Sequence, residues 1–214
     1  MVSLNYTLKK EMDENKDDSD NELEVKNHNN HIYFYSDVNN KSAQQLNIKL
    51  KELEEEIIEK FKQSDRHKEY IYLHINSYGG SVFSAFSIID TIKNLKVPVV
   101  SIIEGTAASA ATLISVVCEH RIIYKTSYML IHQLSSATWG KMAEIEEEVI
   151  NLRELMKQIK NIYKTYSNIP GEEIDELLNH DLWWNSEICL EKGLVDDVKI
   201  TKKAYLYSKE YLDI

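Results

Sequence analysis

A single serine stands within a run of very small residues near the middle of the chain. Ser109 lies in the stretch 105–111, which otherwise holds one glycine, four alanines and one threonine. Apolar runs at 97–103 and 112–118 flank it, a pattern typical of strand, tight turn and helix. A serine at the start of that helix would face the positive end of the helix dipole and unpaired backbone N–H groups. Such groups can stabilise an oxyanion, as acyl transfer requires. In a buried alanine-rich helix the same serine would serve only close packing.

A serine nucleophile needs a base within hydrogen-bond reach, and the base needs an orienting carboxylate. Of the seven histidines, His132 is the one that ends an apolar strand-like run, at 128–131. Ends of strands are where sites are built in α/β folds, which makes His132 the candidate base. Asp181 follows His180 just before two tryptophans, where a polar residue could cap a helix.

The elements that must position these residues alternate between strand and helix. Short apolar runs predict strands at 32–35, 70–75, 97–103, 121–124 and 128–132. Apolar residues at helical spacing predict helices over 46–61 and 85–92. Ser42 and Gln45 form a predicted capping box for the first helix, and Ser81 is the predicted cap of the second. This alternation predicts parallel strands joined by helical crossovers, and hence an α/β fold.

A long helix is predicted over about 139–167. Its apolar residues follow a heptad stripe from Met142 to Tyr166, about 37 Å at the usual rise per residue. That length exceeds what a small domain needs to cover its own sheet. We expect the helix to project and to bury its stripe against another subunit, the alternative being an ordinary amphipathic helix that covers the sheet.

Composition limits the classes of function. The chain has 214 residues, two cysteines and a net charge of −10, which argues against a nucleic-acid binder. It has no run apolar enough to span a bilayer and no signal-peptide core, so a cytoplasmic protein is expected. The polar, acidic residues 1–30 are predicted to form a flexible N-terminal tail, residues 31–200 the folded domain, and residues 201–214 a C-terminal tail.

Four short segments occur in order along the chain: Asn-Ser-Tyr-Gly-Gly-Ser at 76–81, Gly-Thr-Ala-Ala-Ser at 105–109, Ile-His-Gln at 131–133 and Gly-Leu-Val-Asp at 193–196. Together, in this order, they resemble the ClpP family of serine peptidases. The resemblance runs from about residue 32 to 198. It implies a spiral of βα units related to the crotonase fold, with a projecting handle helix where the long heptad stripe lies.

The resemblance also implies roles for individual residues. Ser109 matches the family's nucleophile, His132 its general base, and Asp181, twelve residues before Gly193, its orienting acid. The remaining site residues follow by position: the backbone N–H groups of Gly79 and Ala110 for the oxyanion, and Gly80, Ser81, Leu134 and Ser135 for substrate binding.

The chain departs from the family pattern in several places. Tyr78 stands where the family usually has proline, and Leu-Ser-Ser-Ala at 134–137 replaces a proline followed by glycines that hold the substrate backbone. His74 stands where a family aromatic helps to form the docking pocket for a partner ATPase. These changes can alter the cleft and the docking surface, but they remove no reacting group.

The resemblance thus implies a serine endopeptidase that cleaves unfolded polypeptides or peptides inside heptameric rings, which would stack as a tetradecamer and be fed by a separate AAA+ unfoldase. No metal or cofactor is expected in the chain itself, since only the partner would use ATP. Neither nucleic acid nor membrane is expected as a partner. The alternatives are a catalytically silent or regulatory ring subunit, a processing peptidase that needs no ATPase, and a crotonase-type acyl-CoA enzyme. A Ser–Lys peptidase using Lys125 lacks a clear motif.

Overall fold

The computed structural model describes residues 25–62 and 69–200. Over these residues the chain forms one eight-stranded sheet with helices interleaved along the sequence. The strands are β1 (Val25–His28), β2 (His31–Phe34), β3 (Ile71–Ser77), β4 (Val99–Ala108), β5 (His120–Tyr124), β6 (Tyr128–Ile131), β7 (Leu182–Asn185) and β8 (Asp197–Lys199). The helices are α1 (Asn40–Lys62), α2 (Val82–Asn94), α3 (Ala110–Val116), α4 (Met142–Tyr166), α5 (Ile174–Leu178) and α6 (Ser186–Glu191).

Most of the sheet is parallel, as the alternation of elements predicts. The main strand order is β1-β2-β3-β4-β5-β8, and the strands from β2 to β8 along this path run parallel. The core is built largely from branched aliphatic side chains of the strands and of α1 to α3. Its largest fully buried members are Ile32, Phe34, Leu46, Leu50, Ile57, Ile71, Leu73, Ile75, Ile88, Ile103, Ile114 and Ile123. This close-packed core gives the strand ends a rigid base.

The sheet begins earlier in the chain than composition predicts. β1 pairs antiparallel with β2, from Val25 opposite Phe34 to His28 opposite His31, within the stretch assigned to the flexible tail. Only Val25 of this strand is buried. A strand with one buried side chain carries almost no hydrophobic pattern, so composition could not reveal it. The tail predictions for residues 1–24 and 201–214 fall outside the described residues.

The two predicted helix caps have different outcomes. The predicted Ser42–Gln45 capping box is wrong, because Asn39 and Ser42 cap α1 reciprocally: Ser42 N–H donates to Asn39 Oδ1 at 2.9 Å and Asn39 N–H to Ser42 Oγ at 3.0 Å. The cap of α2 is confirmed, since Ser84 N–H donates to Ser81 Oγ at 3.3 Å. The second cap fixes the end of the loop that joins β3 to α2.

β4 changes its partner strand halfway along, and this change brings the predicted site residues Ser109 and His132 to one edge of the sheet. Residues 100–103 pair with β5, whereas residues 106–108 pair with β6. β6 in turn pairs antiparallel with β7. As a result, β6 and β7 lie off the main sheet order, and the carboxyl ends of β4 and β6 come to lie side by side.

The predicted long helix is confirmed as α4, which has 25 residues. Its buried residues, Ile159, Ile162 and Tyr163, all lie in the second half. In the first half the apolar side chains of Met142 and Ile150 are 70% and 58% exposed. The helix therefore packs on the domain with one half only. No helix in the described ranges combines the length and the apolar character needed to cross a membrane.

Candidate active site

Ser109 occupies the sharp turn between β4 and α3. It is the N-cap residue of α3, with φ 53° and ψ −125°. A positive φ is strained for a residue with a side chain, and such strained strand-to-helix turns are used to present nucleophiles. The turn is held to the neighbouring strand, because Ser109 N–H donates to Leu130 O at 2.8 Å. Ser109 itself is partly exposed, whereas Ala108 and Ala110 on either side are buried.

His132 follows the last residue of β6, as predicted. The parallel register sets Ala108 of β4 opposite Leu130 of β6, so the residues that follow each strand come together at one sheet edge. The next backbone group is anchored as well, since Gln133 N–H donates to Leu178 O at 2.7 Å. The His132 side chain is 21% exposed, which leaves it open to a cleft.

β7 brings Asp181 to His132. The antiparallel register sets Ile131 opposite Leu182, and Asp181 precedes Leu182 directly. The carboxylate Oδ1 lies 3.4 Å from His132 Nδ1, and the Asp181 side chain is 79% exposed. The carboxylate therefore faces the Nδ1 side of the ring, and the Nε2 side is left for another partner.

The three side chains are gathered but not linked by hydrogen bonds. In the described part of the chain, the hydroxyl of Ser109 makes no hydrogen bond to His132, and the 3.4 Å between His132 and Asp181 is within ion-pair distance but longer than a well-formed hydrogen bond. Such long or misaligned contacts are common in sites without substrate and tighten in the reacting complex.

The loop after β3 lies directly against the Ser109 turn. A Cβ atom on Gly79 would lie 2.5 Å from Ala108 O, 2.8 Å from Ser109 Cβ and 2.9 Å from Ala110 N. Only glycine permits this approach, and its φ of 92° also favours glycine. The loop backbone thus lies beside Ala110 N–H, where two amides could converge on one oxygen atom.

The amides of this loop are not equivalent. Gly79 N–H, the predicted oxyanion donor, donates to Ser77 Oγ at 3.1 Å. Within residues 25–62 and 69–200, the N–H of Gly80 has no hydrogen-bond acceptor, and Gly80 is exposed. Gly80 lies against Val38 rather than against the Ser109 turn, since a Cβ atom on Gly80 would lie 2.4 Å from Val38 O. Sequence reasoning did not single out Ser77, whose hydroxyl oxygen accepts the hydrogen bond from Gly79 N–H.

The other predicted substrate-binding residues have mixed surroundings. Ser81 N–H donates to Val38 O at 2.7 Å, so both its amide and its hydroxyl serve the loop and the helix cap. Leu134 N–H donates to Met156 Sδ of α4 at 3.2 Å. Ser135 is exposed. Within the described part of the chain, neither the amide nor the hydroxyl of Ser135 makes a hydrogen bond.

Several neighbours of the site carry no local sequence signal. Trp183 of β7 meets Tyr78 edge to face, with ring centroids 6.3 Å apart, and both side chains are exposed. This contact joins the strand that follows Asp181 to the glycine loop. Thr112 and Tyr163 meet beneath the Ser109 turn at 2.5 Å. These pairs are far apart in the chain, so only the fold could reveal them.

A second histidine–carboxylate arrangement lies across β2, β3 and β4, and we call it the sheet-face network. It consists of His31, His74, Glu104 and Tyr35. His31 Nδ1 lies 2.8 Å from His74 Nε2, His74 Nδ1 lies 2.8 Å from Glu104 Oε1, and Tyr35 donates its hydroxyl proton to Glu104. Burial, together with Glu104, raises the pKa of Tyr35. Within the described ranges, no cluster of three or more His, Cys, Asp or Glu residues is suited to a metal ion.

Comparison with known proteins identifies the family. The sequence model named Clp protease matches residues 14–202 of the chain. The chain belongs to the Clp protease family. Members of this family typically assemble into oligomeric rings.

The fold has a solved counterpart. The structure is similar to a mutant of ClpP1 from Listeria monocytogenes, with a TM-score of 0.70 and 23% sequence identity, over 81% of this chain and 93% of that one. This likeness confirms the predicted ClpP-like α/β fold with its long handle helix, which is α4.

Proposed function

We propose that the protein is a serine endopeptidase of the ClpP type. The observation that carries this proposal is the strained turn of Ser109, which lies at one sheet edge beside His132 and Asp181. A buried alanine-rich helix that served only packing would not require a serine with positive φ. Family membership supports the same reaction class.

In the proposed reaction, Ser109 attacks the peptide carbonyl and His132 takes its proton. Asp181 faces Nδ1 of the imidazole, so Nε2 is the atom that accepts the proton and later delivers it to the leaving amine. Asp181 fixes the tautomer and stabilises the charged ring. The N–H of Ala110 and an N–H of the glycine loop hold the oxyanion. Water then releases the acyl-enzyme.

We propose that the active form is a heptameric ring, with two rings stacked as a tetradecamer. The exposed apolar side chains on the first half of α4, such as Met142, Val149 and Ile150, offer surface for contact between rings. Assembly would also close the gap between Ser109 and His132. We place the enzyme in the cytoplasm, where the buried free cysteines Cys118 and Cys189 would stay reduced.

Unfolded polypeptides are the proposed substrates, and an AAA+ unfoldase is the proposed partner. In this scheme the peptidase itself needs no metal or cofactor, and ATP is used by the unfoldase alone. His74 is locked into the sheet-face network at the position expected to serve docking. The position of His74 therefore favours one form of this proposal, a processing peptidase that works without an ATPase.

A second candidate function is a catalytically silent ring subunit. The 3.4 Å separation of His132 and Asp181, with the acid 79% exposed, is the observation that favours it. The two functions differ in a single property, which is the nucleophilicity of Ser109.

Labelling with a fluorophosphonate probe separates them. The assembled protein should take up the probe, Ser109→Ala should take up none, and Ser136→Ala, which removes an exposed serine from the same region, should label like the wild type. Cleavage of an unfolded polypeptide that carries a quenched fluorophore should follow the same pattern. A folded ring that neither labels nor cleaves would overturn the proposal and leave the silent subunit.

A further inference from the structure

A chain of hydroxyl groups runs from α4 to the backbone of Ser109. Thr112 Oγ1 donates to Ser109 O at 2.6 Å. Thr112 Oγ1 also lies 2.5 Å from Tyr163 Oη. Thr112 is 0% exposed and Tyr163 is 2% exposed, so water does not compete for these bonds. The contact joins two residues that are 51 positions apart.

The protons in this chain can point in one direction only. Thr112 has a single hydroxyl proton, and the Ser109 carbonyl can only accept. Tyr163 must therefore donate to Thr112 while Thr112 donates to Ser109. Burial raises the pKa of Tyr163, which keeps its proton in place. Each link thus strengthens the next, since a hydroxyl that accepts a hydrogen bond is a better donor.

These hydrogen bonds act on Ser109, a residue with a demanding backbone conformation. Ser109 has φ 53°, and such strain persists only where the surroundings fix it. Its N–H is bound by Leu130 O at 2.8 Å, and its C=O receives both Thr112 N–H at 3.0 Å and the Thr112 hydroxyl. The two sides of the strained residue are therefore held by different parts of the molecule.

We propose that Thr112 and Tyr163 are positioning residues that hold Ser109 in its strained turn and so set the direction of its hydroxyl. The inference rests on the proposed function for its effect on rate, but not for its effect on the backbone. Neither residue touches substrate, and both act through Ser109. Misplacement of a reacting group by about 1 Å can cost on the order of 100-fold in rate.

The same helix also holds the segment that follows His132. Met156 lies two turns before Tyr163 on α4, and its Sδ accepts Leu134 N–H at 3.2 Å. Residues within three positions of Ser109 and of His132 thus bind to the second half of one helix. A shift of α4 would reach the nucleophile through Tyr163 and the base through Met156.

Tyr163→Phe tests the proposal, because it removes one oxygen atom and keeps the buried ring. We expect kcat and the rate of fluorophosphonate labelling to fall about 10-fold, with KM unchanged. Thr112→Val should behave alike, whereas Thr112→Ser, which keeps the hydroxyl, should restore the rate. Tyr166→Phe is the matched control, since this tyrosine lies on the same helix with its ring beside Lys93.

The double variant Tyr163→Phe/Thr112→Val adds an internal check. Because both residues act through one chain of hydrogen bonds, the double variant should be no slower than Thr112→Val alone. Rates that multiply would show two independent effects and would overturn the proposal.

Amide hydrogen exchange gives a readout that needs no activity. Exchange in the segment 106–113 should be about 5- to 10-fold faster in Tyr163→Phe than in wild type or Tyr166→Phe, with the ring size unchanged. Unchanged exchange, or a change in KM alone, would overturn the proposal. If the wild type fails to label while exchange still responds to Tyr163→Phe, the peptidase proposal fails and the positioning contact stands.

Discussion

His74 and His132 each face a carboxylate, but they do so in contrasting surroundings. His74 is 6% exposed, its two ring nitrogens have partners at 2.8 Å, and its ring stacks on Tyr33 at 4.5 Å. His132 has a single carboxylate partner at 3.4 Å, and that carboxylate is 79% exposed. The better-formed pair is thus the one that lies within the sheet, away from Ser109.

The difference separates structural from chemical use of the same side chains. A histidine whose nitrogens are both engaged has no atom left to take a proton from a nucleophile. A base must keep one nitrogen free, and a looser contact leaves room for substrate and for assembly to complete the alignment. Short histidine–carboxylate distances alone would therefore direct attention away from the pair that we propose as catalytic.

The largest expected effect is on rate, at the looser pair. His132→Ala should lower the rate of peptide hydrolysis by about 10³-fold or more, because it removes the proposed base. The melting temperature should change little, since the side chain is open to the cleft. Hydrolysis of a fluorogenic peptide and thermal unfolding of the same sample measure the two quantities.

A smaller effect, on stability, is expected at the buried pair. His74→Phe keeps an aromatic ring beside Tyr33 but leaves Glu104 and His31 without their central partner. Unfolding free energy from urea titration should fall by about 2 kcal/mol, with labelling of Ser109 unchanged. Glu104→Gln retains an acceptor for His74 and should cost less. Loss of labelling in His74→Phe with unaltered stability would reverse the assignment of the two pairs.

The sheet-face network should also make stability depend on pH. Burial, followed by repulsion from His74, Lys199 and His28, lowers the pKa of His31, and Glu104 opposes this shift. Below the ordinary histidine pKa of about 6.5, the unfolded chain therefore binds a proton that the folded chain resists. Unfolding free energy should fall as the pH drops from about 7 to about 5, and fall less steeply in His31→Gln. Equal slopes in both proteins would remove His31 as the cause.

The smallest effect is expected at a third pair, on the surface. His120 Nε2 lies 2.8 Å from Asp197 Oδ2, with side chains 42% and 66% exposed. His120→Gln should change the unfolding free energy by less than ~0.5 kcal/mol, because exposed ion pairs contribute little. A change as large as that of His74→Phe would show that distance matters more than burial here.

Sequence alone supplied most of the fold. β3 and β4 are rich in buried aliphatic residues, and such strands give the clearest signal. The short, polar β1 has no such pattern and was not predicted. β7 was not predicted either, since two of its four residues are exposed and its partner strand β6 lies about 50 residues earlier in the chain.

The places of Ser109 and His132 at strand ends were predictable from the sequence, but their contacts were not. Ser109 and His132 each follow a run of apolar or small residues, and the end of such a run marks the end of a strand. The hydrogen bond from Gly79 N–H to Ser77 Oγ depends on loop geometry that the sequence does not specify. The bond between Thr112 and Tyr163 depends on where α4 crosses α3, which no local pattern records.

β1 has a practical consequence for shortened forms of the protein. A chain cut to begin at His31, where composition places the start of the domain, would lose the strand that covers the backbone of β2. β1 is itself the edge strand of the described sheet, but it is short and mostly exposed. Without it, β2 becomes the edge strand, and its unpaired N–H and C=O groups can pair with the same edge of a second molecule. Such a truncation should aggregate more than a chain that begins at or before residue 24.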